Sequence, residues 1–290
     1  MSFLIFAWTA AILYGLVNVI GKLTSKYAVE NVWLFNFLYG LCSLLFTLPI
    51  VFANHVGIPN AWGNLSLAVL FNILFSFCYT IAIFSMDLSV MGPLFNFRTV
   101  FALLLGVLML HETLSVTQSV LIGLIFLAGI FVSMDERLSI KSFFKKSTLN
   151  VLLMSLFLAL SSIYINKSVA EIGYWETTLF VPLLSQLAFL TTIPFFWKEL
   201  PKINEKQIGG VAAMALCLAL GNFASIKAYA SNVSISTAIE ALPISMFIVF
   251  FLSRVKPDLL EKHSGKIYAI RFTAAFVMII AALRLSGWGV

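Results

Sequence analysis

The stretch from Val90 to Leu110, VMGPLFNFRTVFALLLGVLML, decides how the chain is read. It has the roughly 20 residues that one crossing of a bilayer requires. A single charge, Arg98, stands close to its middle. An arginine at that depth costs at least about 2.5 kcal/mol on insertion scales. Such a residue is kept where it meets a partner, a cavity or a substrate.

The composition extends this reading to the whole chain. Of 290 residues, 61% are hydrophobic and only 10% charged, with mean hydropathy +1.03. Soluble domains carry roughly 25% charge, so the chain is expected to be an all-α, polytopic membrane protein. The net charge of +6 does not imply nucleic acid. The basic residues lie in short loops between apolar runs and form no stripe with interleaved aromatics. Cys42, Cys78 and Cys217 all fall inside apolar runs, without metal-ligand spacing, and read as small core residues. The first run begins at Phe3 with no positive region before it, so it reads as a retained helix.

Ten apolar runs reach spanning length. They are Phe3–Gly21, Val32–Ala53, Leu65–Phe84, Val90–Leu110 and Ser115–Met134, then Leu149–Asn166, Glu176–Phe196, Ile208–Ala228, Asn232–Leu252 and Lys266–Ser286. No connection is long enough for a soluble domain. A shift of 145 residues aligns Lys22 with Lys167, Phe35 with Phe180, Thr47 with Thr192, Pro49 with Pro194 and Ser89 with Ser234. The chain therefore divides into a five-helix repeat over 1–134, a basic cytoplasmic linker over 135–148, and a second five-helix repeat over 149–290. Five is odd, so the second copy enters the membrane from the opposite side. Inverted repeats of this kind build many secondary transporters.

Charge sets the orientation. Lys22, Lys26, Arg137, Lys141, Lys145, Lys146, Lys198, Lys202, Lys206, Arg254, Lys256, Lys262 and Lys266 share one side; Lys167, Lys227 and Arg284 lie on the other. The positive side is expected to be cytoplasmic, which turns both termini outward. A multi-pass protein of the cell membrane is the expected setting.

The segment Tyr79–Val132 resembles the closing half of an EamA domain, from the drug/metabolite transporter superfamily. Ala82 ends the third run, Ser89 opens the fourth, and Leu110-His111-Glu112-Thr113-Leu114 makes the turn into a fifth run with Gly123 and Gly129. Asn18 with Lys22, and Lys167, make the openings of the two halves similar as well. The resemblance implies a transporter of ten helices with the fourth and ninth beside a central cavity. This chain departs from the family pattern at four points. Arg98 stands where a proline is usual, and the second half keeps that proline as Pro243. The glutamate turn has only Val255-Lys256-Pro257-Asp258 as its counterpart. The tenth run carries Arg271 in place of glycines. The family's termini are usually cytoplasmic, opposite to the charge bias here.

Arg98 and Glu240 are the first candidates for substrate binding or coupling. Glu240 matches Phe95 in the repeat, three residues from Arg98, so the two charges are expected to approach each other. A structural ion pair explains them equally well. Pro243 lacks an N–H, and the carbonyl of Ile239 is expected to be freed beside Glu240. Tyr14 and Asn18 share a face of the first helix, and Asn72, Ser76 and Tyr79 a face of the third. Tyr14, Asn18 and Tyr79 are placed in the cavity; Gln186 and Asn222 read as packing polar groups. Lys22, Lys167 and Lys227 are expected to snorkel from helix ends. His111-Glu112 is too small a set for a metal. The sequons at Asn64, Asn166 and Asn232 read as chance matches.

No P-loop is present, so ATP is not expected to drive the protein. No catalytic residues, metal or cofactor are expected. The expected partners are a small-molecule substrate and the lipid bilayer, with a homodimer left open. The leading reading is a secondary transporter of a small organic metabolite. Its alternatives are a membrane enzyme acting on lipid, against which the scattered His55, His111 and His263 argue, and a non-transporting scaffold.

Overall fold

The computed structural model describes residues 2–86, 91, 95–133, 146–255 and 265–287. Ser89, residues 135–145 of the linker and the turn at 256–258 lie outside them. Every regular element among the described residues is helical. In chain order the α-helices are α1 (Ser2–Tyr27), α2 (Val32–Phe52), α3 (Gly63–Ser85), α4 (Phe97–Leu110), α5 (Val116–Ser133), α6 (Lys146–Ile172), α7 (Tyr174–Phe189), α8 (Glu205–Tyr229), α9 (Val233–Glu240), α10 (Ile244–Val255) and α11 (Gly265–Leu285). Among the described residues seven stretches are long and apolar enough to cross a membrane, and α4 and part of α5 form shorter apolar helices.

Among the described residues eleven α-helices are counted beside the ten expected spans, and the ninth run is not one helix. α9 ends at Glu240 and α10 begins at Ile244. Pro243 has no N–H to continue the ladder. The chain tightens instead of leaving a bare carbonyl. Ala241 N–H bonds to Thr237 O at 3.0 Å, Leu242 N–H to Ile239 O at 3.2 Å, and Ile244 N–H to Leu242 O at 2.8 Å. The Ile239 carbonyl, expected to be free, is thus engaged. The seventh run also changes character: α7 gives way at Leu190 to a 3-10 turn through Phe195 that contains Pro194. Pro49, its partner in the 145-residue shift, stays inside the longer α2.

Packing is by close pairs. α3 lies along α6, α1 along α8, α5 along α11 and α4 along α6; α2 touches both α7 and α8. Small residues let backbones approach, as membrane interfaces require. A Cβ on Gly221 of α8 would sit 2.9 Å from the Tyr14 ring, and one on Gly15 of α1 would sit 2.7 Å from the Ile244 side chain. One core gathers Phe35, Tyr39, Tyr79, Ile83 and Met214. A second gathers Ala7, Ile122, Ala275, Met278 and Ala282. Large apolar side chains such as Leu45, Leu108, Leu127 and Phe251 remain on the outer surface, as contact with lipid demands.

The Leu110–Leu114 turn has a defined task. His111 takes the left-handed conformation (φ 53°) and ends α4. Glu112 then reaches the N-terminus of α9. It accepts from Val233 N–H at 2.6 Å, from Ser234 N–H at 3.1 Å, and from the Ser234 hydroxyl. Asn232 accepts from Ile235 N–H at 2.7 Å. A short helix has four orphan N–H groups at its start, and a carboxylate also suits the positive end of the helix. Glu112→Ala is expected to cost roughly 2 kcal/mol and to lower the melting temperature in detergent. An unchanged melt would show that the cap is dispensable.

Lys22 differs from its expected snorkelling. Its Nζ turns to the end of α3 and donates to Ile83 O at 2.9 Å and Met86 O at 2.7 Å. A cation there complements the negative end of the helix. Lys167 and Lys227 lie over the rings of Tyr164 and Tyr174. The three sequon asparagines are in use: Asn64 donates to Glu171, Asn166 donates to the Tyr229 carbonyl, and Asn232 caps α9.

Candidate functional site

A cavity of about 150 Å³ lies among α1, α2, α3, α4, α6, α7 and α8. Its polar lining comes from short stripes at helical spacing. α1 supplies Tyr14 and Asn18, α2 supplies Tyr39, Ser43 and Thr47, α3 supplies Asn72, Ser76 and Tyr79, and α8 supplies Asn222, Ser225 and Tyr229. Residues three, four or seven apart fall on one helix face, so each stripe presents its polar groups together. Apolar walls come from Phe75, Phe95, Leu158, Ile165 and Phe189.

Four of the five expected site residues, Tyr14, Asn18, Tyr79 and Arg98, line this cavity; Glu240 does not. The tyrosine hydroxyls are held by amides. Tyr14 donates to Asn222 Oδ1 at 2.9 Å, and Tyr79 to Asn18 Oδ1 at 3.2 Å. Asn72 donates to Ser185 Oγ at 3.0 Å. Gln186 lies away from the cavity lining and donates to the Phe37 carbonyl at 3.3 Å.

Arg98 and Glu240 meet, as the repeat offset requires. Arg98 Nη2 stands 3.0 Å from Glu240 Oε2, with the side chains 1% and 0% exposed. The same Nη2 donates to the Tyr229 hydroxyl and, at 3.4 Å, to Ser162 Oγ. Arg98 Nε has no hydrogen-bond partner among the described residues. Its guanidinium carbon lies 5.8 Å from the centre of the Phe95 ring and 5.6 Å from that of Tyr229. Glu240 is satisfied at both oxygens. Oε1 accepts from Ser225 Oγ at 2.8 Å, and Oε2 accepts from Tyr229 OH at 2.5 Å as well as from Arg98. The group is electrically balanced, and balance is what makes two buried charges tolerable. The arginine is gripped through one nitrogen, so the two-pronged fork that arginine offers a carboxylate is not engaged with Glu240.

Sequence reasoning missed Tyr229, Ser225 and Ser162. A signal for two of them was present. Asn222, Ser225 and Tyr229 stand at i, i+3 and i+7 on α8, the same kind of stripe that marked α1 and α3. Ser162 falls seven residues after Ser155 and four before Asn166 on α6, a fainter stripe of the same kind. Tyr39, Ser43 and Thr47 on α2 are a further stripe of the same kind.

Comparison with known proteins agrees with this picture. Residues 1–134 match the EamA-like transporter family. No curated protein matches the chain. One solved crystal structure of a protein superposes with a TM-score of 0.71, covering 99% of this chain and 98% of its own at 14% identity. That likeness is one of fold. The described residues are all-α, with helices long and apolar enough for a multi-pass membrane protein, and residues 1–134 are similar to the EamA-like transporter family.

Proposed function

We propose that the protein is a secondary transporter, moving a small organic metabolite by alternating access between two inverted five-helix repeats, 1–134 and 149–290. The observation that carries the reading is the cavity with one balanced ion pair at its edge, Arg98 from the fourth run and Glu240 from the ninth. The helix pairings support the repeat. Shifted by 145 residues, the α3–α6 pair becomes α8–α1 and the α2–α8 pair becomes α7–α3; α5–α11 and α2–α7 map onto themselves. Midplane sites at a repeat interface, next to broken helices, are usual in such transporters, and the α9–α10 break directly follows Glu240.

Coupling follows from charge. While Arg98 and Glu240 are paired, Glu240 is ionised and the site is neutral. A substrate anion that takes Arg98 leaves a lone carboxylate in a low-dielectric setting, where it takes up a proton. Arg98 Nε, which has no partner among the described residues, supplies a donor for that anion. Substrate and proton then move in one cycle. Uptake into vesicles containing the purified protein, measured with a panel of small radiolabelled metabolites, tests the reading. Uptake no greater than in empty vesicles for the whole panel would count against it.

The loop charge bias supports both termini outside. A reporter active only in the cytoplasm, fused after Val290, is expected to stay silent. Strong reporter activity there would reverse the orientation.

A further inference from the structure

We propose that Tyr229 is the gate between the cavity and Glu240. The assignment deepens the transporter reading and rests on it for what the gate serves. The phenol lines the cavity, whereas Glu240 does not. Its hydroxyl accepts from Arg98 and donates to Glu240 Oε2 at 2.5 Å. Tyr229 itself is 4% exposed and Glu240 5%. Among the described residues, Arg98 on α4 lines the cavity and touches the carboxylate, and so do two hydroxyl groups on α8, those of Tyr229 and Ser225.

The two groups are not equivalent. Ser225 bonds to Oε1, the oxygen that the arginine does not use. Tyr229 bonds to Oε2 and to Arg98 at once, so it holds the ion pair closed. The hydroxyl has one proton to donate. A cavity ligand that accepts this proton takes it away from Glu240. The same ligand is then placed at the arginine, because both contacts converge on one phenol oxygen. Opening the gate and loosening the ion pair are therefore one event. The titratable groups around Glu240 are Arg98 on α4, Tyr229 on α8 and, one layer further, Tyr14 on α1.

Chemical modification of Glu240 by dicyclohexylcarbodiimide tests this without any transport measurement. The reagent attacks protonated carboxyl groups in apolar surroundings, and mass spectrometry of the peptide reads the adduct. Purified protein in nanodiscs is treated across a pH series. In the unaltered protein Glu240 is expected to react slowly. In Tyr229→Phe the ring remains and the hydroxyl is lost. Modification of Glu240 is then expected to be roughly tenfold faster at neutral pH, the measure of one hydrogen bond to a charged group. Half-maximal modification should also move to higher pH. Ser225→Ala should accelerate it less, since the bridge to Arg98 stays intact. Equal rates in the unaltered protein and Tyr229→Phe, or a greater effect from Ser225→Ala, would overturn the gate. Should Tyr229→Phe fail to fold, fast modification of Glu240 in the unaltered protein would overturn it alone. A silent uptake panel beside fast modification in Tyr229→Phe would refute the transporter reading and leave the gate standing.

Discussion

Arg98→Ala is expected to reduce uptake to the level of empty vesicles while the chain still inserts. The substitution leaves Glu240 buried with only hydroxyl donors, Ser225 and Tyr229. Removing one partner of a buried pair costs roughly 3–5 kcal/mol, so the protein should also melt earlier. Lost uptake alone would not separate a binding role from a structural one. The double variant Arg98→Met with Glu240→Leu does. Replacing a buried pair by apolar residues of similar volume is often neutral for stability. The double variant is expected to regain the melting temperature and to remain inactive. Arg98→Lys should keep the charge and much of the stability but lose the Nε donor, and its uptake should be weak. Undiminished uptake by Arg98→Ala would remove Arg98 from the mechanism.

Glu240→Gln should separate coupling from binding. Glutamine imitates the protonated acid in shape and charge. The variant is expected to bind substrate and to exchange it across the membrane, because neither step requires a proton to move. Accumulation driven by a pH gradient should vanish. The readouts are counterflow of labelled substrate, with no gradient imposed, and net uptake with the vesicle lumen more alkaline or more acidic than the bath. Counterflow without gradient-driven uptake is the expected pair of results. If Glu240→Gln still accumulates substrate in response to the pH gradient, the proton is carried elsewhere and the ion pair is structural.

Much of the fold was legible because lipid makes the sequence rule simple. Apolar runs of spanning length announce helices, and the helical reading of α1, α2, α3, α6 and α8 needed no tertiary information. The meeting of Arg98 and Glu240 was legible too, since the 145-residue offset puts Glu240 opposite Phe95. The break at Ala241–Pro243 was half legible. Proline marked its place, but the tightened turn that occupies Ile239 O depends on where the following helix must go. The task of Glu112 was hidden, because its partners are 121 and 122 residues away. Tyr229 carried a signal in the α8 stripe, but a tyrosine at the end of a membrane helix ordinarily reads as an interfacial anchor, whereas here it packs inward with Ala159 and Ile163 and meets Arg98.

The capping of α9 by Glu112 bears on which parts can travel together. By sequence α9 belongs to the second half, yet its first turn is fastened to the loop joining α4 and α5 in the first half. α9 also packs on α4 and α1, and α10, past the proline, continues along α1, where Gly15 admits Ile244. Both pieces of one span therefore share α1, and α9 is held in addition by α4 and by Glu112, with the turn at Ala241–Pro243 between them. A helix of eight residues thus stitches the second half of the chain to the first.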